Sequence, residues 1–217
     1  MHPSSSTRLL TVLTCAAALS FHHTAEAGFV AVDPFENGSA VGLSLVTSMV
    51  GWSFTPTVNL AVTQLGYYDF GGNGLGESHQ VGIWENGGSL LGSATVATGD
   101  PILDNFRYTA SPAINLLAGQ TYVIGGYQTL AGHDDLLTGT ISVSGFSTAP
   151  QITYGGQRAT LFAAAFSRPD GTYVGATDGI WGPNFQFDVA TTVPEPGTAI
   201  FGLALLGTAL TRRTRRA

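Results

Sequence analysis

Glycine is the feature of this sequence that most limits its fold. The chain has 217 residues and 29 glycines, and 26 of those glycines fall between residues 28 and 193. Glycine at this density interrupts helices and serves turns, while the valine, threonine, tyrosine and phenylalanine around it favour strands. An all-helical protein is therefore excluded. Ample apolar content and few charges also argue against disorder.

Strand-length apolar stretches recur along residues 28–193 and predict an all-β body. Turn signals separate them, and the turn at residues 85–88 joins its two strands closely enough to predict a β-hairpin. The predicted strands are 49–55, 60–68, 80–84, 89–96, 105–110, 121–128, 139–143, 160–166 and 185–189. Two sheets packed face to face are the best way to protect the edges of so many strands, so we predict one β-sandwich that is jelly-roll-like.

Residues 1–27 predict a secretory signal peptide. Arg8 precedes an apolar run at residues 9–21, and Ala25-Glu26-Ala27 fits the small-x-small cleavage pattern. The single cysteine, Cys15, lies inside this segment. Removal of the segment would therefore leave no thiol for a disulfide or a thiolate metal site, and the body must be stabilised by packing.

Residues 194–217 combine three features in a fixed order. Pro194-Glu195-Pro196 comes first, an apolar run at 197–211 follows, and the chain then carries four arginines: Arg212, Arg213, Arg215 and Arg216. A 15-residue helix would be about 22 Å long, which is shorter than the roughly 30 Å hydrocarbon core. Arginine side chains that extend to the membrane surface can make up the difference. We predict a single transmembrane helix in the inner membrane, with the arginine cluster cytoplasmic and the body outside.

Together these three features resemble the PEP-CTERM sorting signal of Gram-negative bacteria. The resemblance implies that Pro194, Glu195 and Pro196 are recognised by an exosortase, a membrane transpeptidase-like enzyme that cuts near the triplet. It also implies export through the inner membrane and transient or permanent anchoring there. The protein would then reach the cell surface or the extracellular matrix of a bacterium that makes exopolysaccharide and biofilm.

A second pattern lies within the body. A histidine stands shortly before a Gly-x-Trp strand at residues 79–84, a leucine-rich strand follows at 90–96, and Leu-Ala-Gly-Gln-Thr-Tyr-Val-Ile occupies 117–124. This pattern, spanning residues 52–128, resembles a jelly-roll domain of unassigned function in bacterial surface proteins. The resemblance supports the fold and implies no activity.

Charge excludes nucleic acid as a partner of the body. Residues 28–193 contain three arginines, no lysine and twelve acids, which gives a formal charge of 3 − 12 = −9. Such a field repels phosphate backbones.

One glycine-rich loop partly fits a calcium-binding pattern. The matching residues are Asp69, Asn73, Leu75 and Glu77. Gly71 and Gln80 depart from the pattern at its third and twelfth positions, and the flanking segments predict strands rather than helices. The sequence therefore leaves two interpretations open, a calcium site with oxygen ligands or a strand connection without an ion. No other cofactor is predicted.

Other polar and aromatic candidates are weaker. His133-Asp134-Asp135 could form a metal or acid–base site or a solvated loop, and His79 predicts a hydrogen-bonded residue at the edge of the core. Trp181 stands in a probable loop and is the best candidate for an exposed ring that stacks on sugar. The sequence lacks the nucleophile-elbow, zinc-protease, P-loop and dinucleotide motifs, so we predict no enzyme activity.

Three functions follow from these observations. The first is a non-enzymatic exported surface or matrix protein, associated with exopolysaccharide. The second is a calcium-assisted carbohydrate-binding module. The third is a secreted hydrolase that uses Asp134, Asp135 or other carboxylates.

Overall fold

The computed structural model describes residues 28–33, 46–129, 137–138, 147–172 and 180–190, with only the backbone described at 137–138 and 180–181. Residues 1–27 and 194–217, the predicted signal peptide and sorting segment, lie outside these ranges. Twelve strands and one 3₁₀ turn at Phe70–Gly72 make up the regular structure of the described part. The strands are β1 Phe29–Val30, β2 Ser48–Pro56, β3 Leu60–Tyr68, β4 His79–Glu85, β5 Leu90–Val96, β6 Ile102–Leu103, β7 Phe106–Leu116, β8 Tyr122–Gln128, β9 Leu137–Thr138, β10 Ile152–Leu161, β11 Ile180–Trp181 and β12 Pro183–Val189. In the described ranges no helix is long and apolar enough to cross a membrane.

Ten of these strands form two antiparallel sheets. Sheet I has the order β1-β12-β3-β7-β6 and sheet II the order β10-β2-β8-β4-β5, while β11 and β9 pair separately. The chain passes repeatedly between the sheets, since β2 lies in sheet II, β3 in sheet I and β4 in sheet II again. The predicted all-β class with two sheets is confirmed, and so is the hairpin between β4 and β5.

The main core lies between the sheets and is rich in aromatic rings. Trp52 and Phe54 of β2 face Phe185 of β12, and the Trp52 and Phe185 rings stack with centroids 5.9 Å apart. Trp52 Nε1 also donates to the carbonyl oxygen of Pro183 at 3.0 Å. Because a buried indole N–H needs an acceptor, this bond fixes one sheet against the other.

Asn184 fastens the N-terminal segment to sheet I. Its side chain is fully buried. Its Oδ1 accepts from the Val32 amide at 3.2 Å, and its Nδ2 donates to the Val32 carbonyl at 3.1 Å and to the Tyr108 hydroxyl at 3.0 Å. The carboxamide thus pairs with Val32 as another strand would, and its polar atoms are satisfied despite burial.

A row of glycines crosses the outer face of sheet II. Gly51 pairs with Gly125, and Gly125 pairs with Gly82. A Cβ atom on Gly125 would lie 2.7 Å from Pro169, and one on Gly82 would lie 2.7 Å from Phe166. Gly82 and Gly125 need glycine because another segment of the chain approaches the backbone closely there.

That segment, residues 162–172, is here called the strap. It follows β10 and lies over the outer face, where the Phe166 and Trp84 rings are 5.0 Å apart. Met49 and Trp84 of the sheet and Ala163 of the strap form the buried part of a second, smaller core between them. The predicted strand at 160–166 is therefore wrong, because β10 ends at Leu161. Phe162 then turns the chain with a φ of 59°, in the left-handed region.

Both ends of the described body leave the sandwich at one end, here called the terminal end. Phe29 of β1 pairs with Phe187 of β12, so Gly28 lies beside Asp188. At the same end, the Ala190 amide donates to the carbonyl of Asn59 at 2.8 Å. The turn at 85–88 and the loop at 117–121 also lie here.

Candidate functional site

Asp69, the first residue of the predicted calcium loop, lies at the opposite end of the sandwich and is fully buried. Its Oδ2 accepts from Arg107 Nε at 2.7 Å, and both carboxylate oxygens accept from the Gly74 amide, at 3.1 and 3.3 Å. Arg107 Nη1 in turn donates to the Asp100 carbonyl at 2.7 Å. This buried ion pair joins the loop after β3 to the loop after β5 through Arg107 of β7.

The other residues of the predicted loop are placed differently. The Glu77 oxygens accept from the amide of Thr129 at 2.6 Å and from its hydroxyl at 2.5 Å. Leu75 is buried and Asn73 is exposed. Among the residues that the structure describes, no group of three or more His, Cys, Asp and Glu side chains could hold a metal ion. The calcium site stays a prediction, and an ion there would share the Asp69 carboxylate with Arg107.

His79 lies in the main core. It is fully buried, and its ring stacks on Tyr67 with centroids 3.7 Å apart and an interplanar angle of 10°. His79 Nδ1 lies 3.0 Å from the carbonyl oxygen of Tyr127. The predicted hydrogen-bonded role is confirmed, and the ring packs between the sheets rather than lining a surface site.

Two tyrosines have raised pKa values. Burial, and then repulsion by the Asp104 carboxylate, raises the pKa of Tyr108 well above its ordinary value of 10.0. Burial is the main cause that raises the pKa of Tyr68, and the negative charge of Asp69 raises it further. Both phenols therefore stay neutral near pH 7 and contribute as hydrogen-bonding and packing groups.

A polar groove of about 470 Å³ lies at the terminal end. One wall is the β4–β5 turn, with Glu85, Asn86 and Gly87, and the other is the β7–β8 loop, with Leu117 and Gln120. All five residues are exposed, and Leu117 is 57 % exposed. Across the described chain, no side-chain hydrogen bond engages the Glu85 carboxylate or the carboxamides of Asn86 and Gln120, so these groups can serve a ligand.

Hydrogen bonds to the backbone of Asn86 fix the turn that forms the first wall. The amide of Asn86 donates to the carbonyl of Thr121 at 3.2 Å, which joins the turn to the β7–β8 loop. Arg168 Nη1 of the strap donates to the Asn86 carbonyl at 2.9 Å. The turn is therefore held from both sides while its side chains point to solvent.

The second wall is fixed by Tyr122 at the start of β8. Its hydroxyl accepts from the Leu117 amide at 2.9 Å, five residues upstream, as in the tyrosine corner of β-sandwich proteins. The next amide, that of Ala118, donates to Asn59 Oδ1 at 2.9 Å. Because Asn59 also accepts from Ala190, the groove wall is tied to the point where the chain leaves the body.

Sequence reasoning missed the groove because its walls lie far apart along the chain. The predicted hairpin turn identified one wall, but no local signal connects it with residues 117–120. A group of exposed carboxamides beside strand ends was the only available sign.

The structure places the other predicted site residues in different ways. Trp181 belongs to β11, which pairs with β9, and its side chain lies outside the described part. His133, Asp134, Asp135, the Pro194–Pro196 triplet and the four C-terminal arginines also lie outside the described residues. An exposed ring that the sequence did not indicate is Phe162, which is 75 % exposed.

The segment that follows β12 defines the class of the protein. Residues 192–216 match the PEP-CTERM protein-sorting motif, which marks an exported protein that is sorted to the cell envelope or surface and processed by an exosortase. The body completes the identification, because residues 40–180 match the domain of unknown function DUF4082, and the chain belongs to that family. Both resemblances seen in the sequence are thereby confirmed. Neither a curated protein nor a solved structure matches the chain.

Proposed function

We propose that the protein is a non-enzymatic component of the bacterial surface or extracellular matrix that associates with exopolysaccharide. The observation that carries the proposal is the sorting motif at residues 192–216, which directly follows the last strand of the body. Export would bring the body to the outer side of the inner membrane, where it can meet a secreted polymer.

The bonding of the carboxylates supports a non-enzymatic role. Asp69 is engaged by Arg107, Glu77 by Thr129, and Asp170 by Arg168 at 2.6 Å. These bonds stabilise loops and occupy oxygens that a general acid or a general base would need for a substrate.

The test uses the native bacterium, with the protein detected in cytoplasmic, inner-membrane, envelope and matrix fractions. We expect the processed protein in the envelope and matrix fractions, and its release from the matrix when the polysaccharide is depolymerised. Replacement of Pro194, Glu195 and Pro196 by alanine should retain it in the inner membrane. A cytoplasmic protein that still carries residues 1–27 would contradict the proposal, as would a matrix protein unaffected by loss of the polysaccharide.

A further inference from the structure

We propose that the groove between residues 85–87 and 117–122 binds a neutral polysaccharide. The inference rests on the proposed association with exopolysaccharide and assigns that association to a site and a ligand class. A volume of about 470 Å³ lies within the roughly 300–1,000 Å³ typical of small-ligand sites. A short stretch of a polymer could therefore occupy it.

The unengaged polar groups match the chemistry of sugar hydroxyls. A carboxamide offers two donors and an acceptor, and an ionised carboxylate offers only acceptors. Asn86 and Gln120 can thus each bind two hydroxyls, and Glu85 can accept from a further one. The exposed Leu117 side chain supplies an apolar wall for the C–H groups of a sugar ring.

Charge selects neutral sugars over acidic ones. Glu85 lies in the groove, and the body around it carries a formal charge of −9 from three arginines and twelve acids. Anionic polymers would be repelled by this field. Arg168, which contacts the turn at residues 85–88, is already engaged by the Asn86 carbonyl and by Asp170.

The groove is also preorganised. Hydrogen bonds to Thr121, Tyr122 and Asn59 hold both walls without using the three polar side chains. Ligand binding would therefore cost conformational entropy in those side chains but not in the loops that carry them.

The experiment measures binding of the full-length protein to exopolysaccharide from the producing bacterium. The polymer is separated by anion exchange into neutral and acidic fractions, and the protein is kept in a polyoxyethylene detergent because a sugar-headed detergent would compete. The groove variant is Asn86→Ala with Gln120→Ala, and Glu85→Gln tests the carboxylate separately. Thr98→Ala is the matched control, since Thr98 is also exposed in a turn but lies at the opposite end, outside the predicted calcium loop.

We expect the wild type and Thr98→Ala to bind the neutral fraction alike. The double variant should bind it at least about tenfold more weakly because it loses several hydrogen bonds, with an unchanged unfolding midpoint. Glu85→Gln should weaken it by a smaller factor. Binding by the groove variants equal to that of the wild type would overturn the site while leaving the proposed function standing. Wild-type binding to the acidic fraction alone would overturn the ligand class, and binding to neither fraction would overturn both proposals.

Discussion

The buried ion pair between Asp69 and Arg107 gives the most direct test of how the loops at the opposite end are stabilised. The Asp69 side chain is 0 % exposed and that of Arg107 is 13 % exposed. Replacement of Asp69 by asparagine keeps the size of the side chain but leaves the guanidinium without its counter-charge. Loss of one partner from a buried pair costs about 3–5 kcal/mol of unfolding free energy.

We expect Asp69→Asn to fall at the lower end of that range. Arg107 keeps its bond to the Asp100 carbonyl and retains some contact with solvent. A loss of about 3 kcal/mol corresponds to a drop of about 6–12 °C in Tm for a protein of this size. Thermal unfolding of the full-length protein, followed by circular dichroism and by tryptophan fluorescence, measures the change.

Asp170→Asn is the matched control, because Asp170 also pairs with an arginine but its side chain is 67 % exposed. An exposed pair contributes only up to about 1 kcal/mol. The double variant Asp69→Asn with Arg107→Met should recover much of the loss, since it removes the uncompensated charge. Equal effects of Asp69→Asn and Asp170→Asn would refute the reasoning.

Three further predictions concern packing, pH and calcium. Gly125→Ala should lower the unfolding free energy by about 1–3 kcal/mol in a denaturant titration, because its Cβ would lie 2.7 Å from Pro169. Gly99→Ala is the control and should leave the unfolding free energy unchanged, because no atom lies within 4 Å of its Cβ position. Stability should fall as the pH rises above 10, by up to about 1.4 kcal/mol per pH unit for a tyrosine whose folded-state pKa is raised, since the unfolded chain loses that proton first. Tyr108→Phe should flatten this dependence, and an unchanged slope would contradict it. Calcium should leave Tm unchanged because the Asp69 and Glu77 oxygens already accept hydrogen bonds; a calcium-dependent rise that Asn73→Ala abolishes would establish the predicted site instead.

The sequence predicts the strands well where apolar periodicity and turn residues agree. The bounds of β3 match the prediction at residues 60–68. The strands β5 and β8 differ from their predictions by one residue at the start, and β2 and β4 by one residue at each end. Such segments carry their own signal, because alternation and turn chemistry are local properties.

Features that depend on tertiary contacts were not predictable. β10 contains Gly155, Gly156 and Gln157, residues with a low preference for strands, so its sequence does not predict a strand. Its pairing with β2 stabilises the strand instead. Trp84 is buried, but it packs under the strap rather than between the sheets. The Asp69–Arg107 pair spans 38 positions, and no local pattern indicates which arginine meets which acid.

The position of the two chain ends has a mechanical consequence. Because Gly28 and Ala190 leave side by side, tension between them would peel the first described residues away from β12 one at a time. The two paired positions of β1 would separate first, followed by the bonds of Ala31 to Phe185 and of Val32 to Asn184. The next barrier is the seven-position ladder of β12 with β3, which is reinforced by the Trp52 bond to Pro183. Resistance to pulling should therefore reside in that ladder, and a single-molecule stretching trace should show a small early yield followed by one larger rupture.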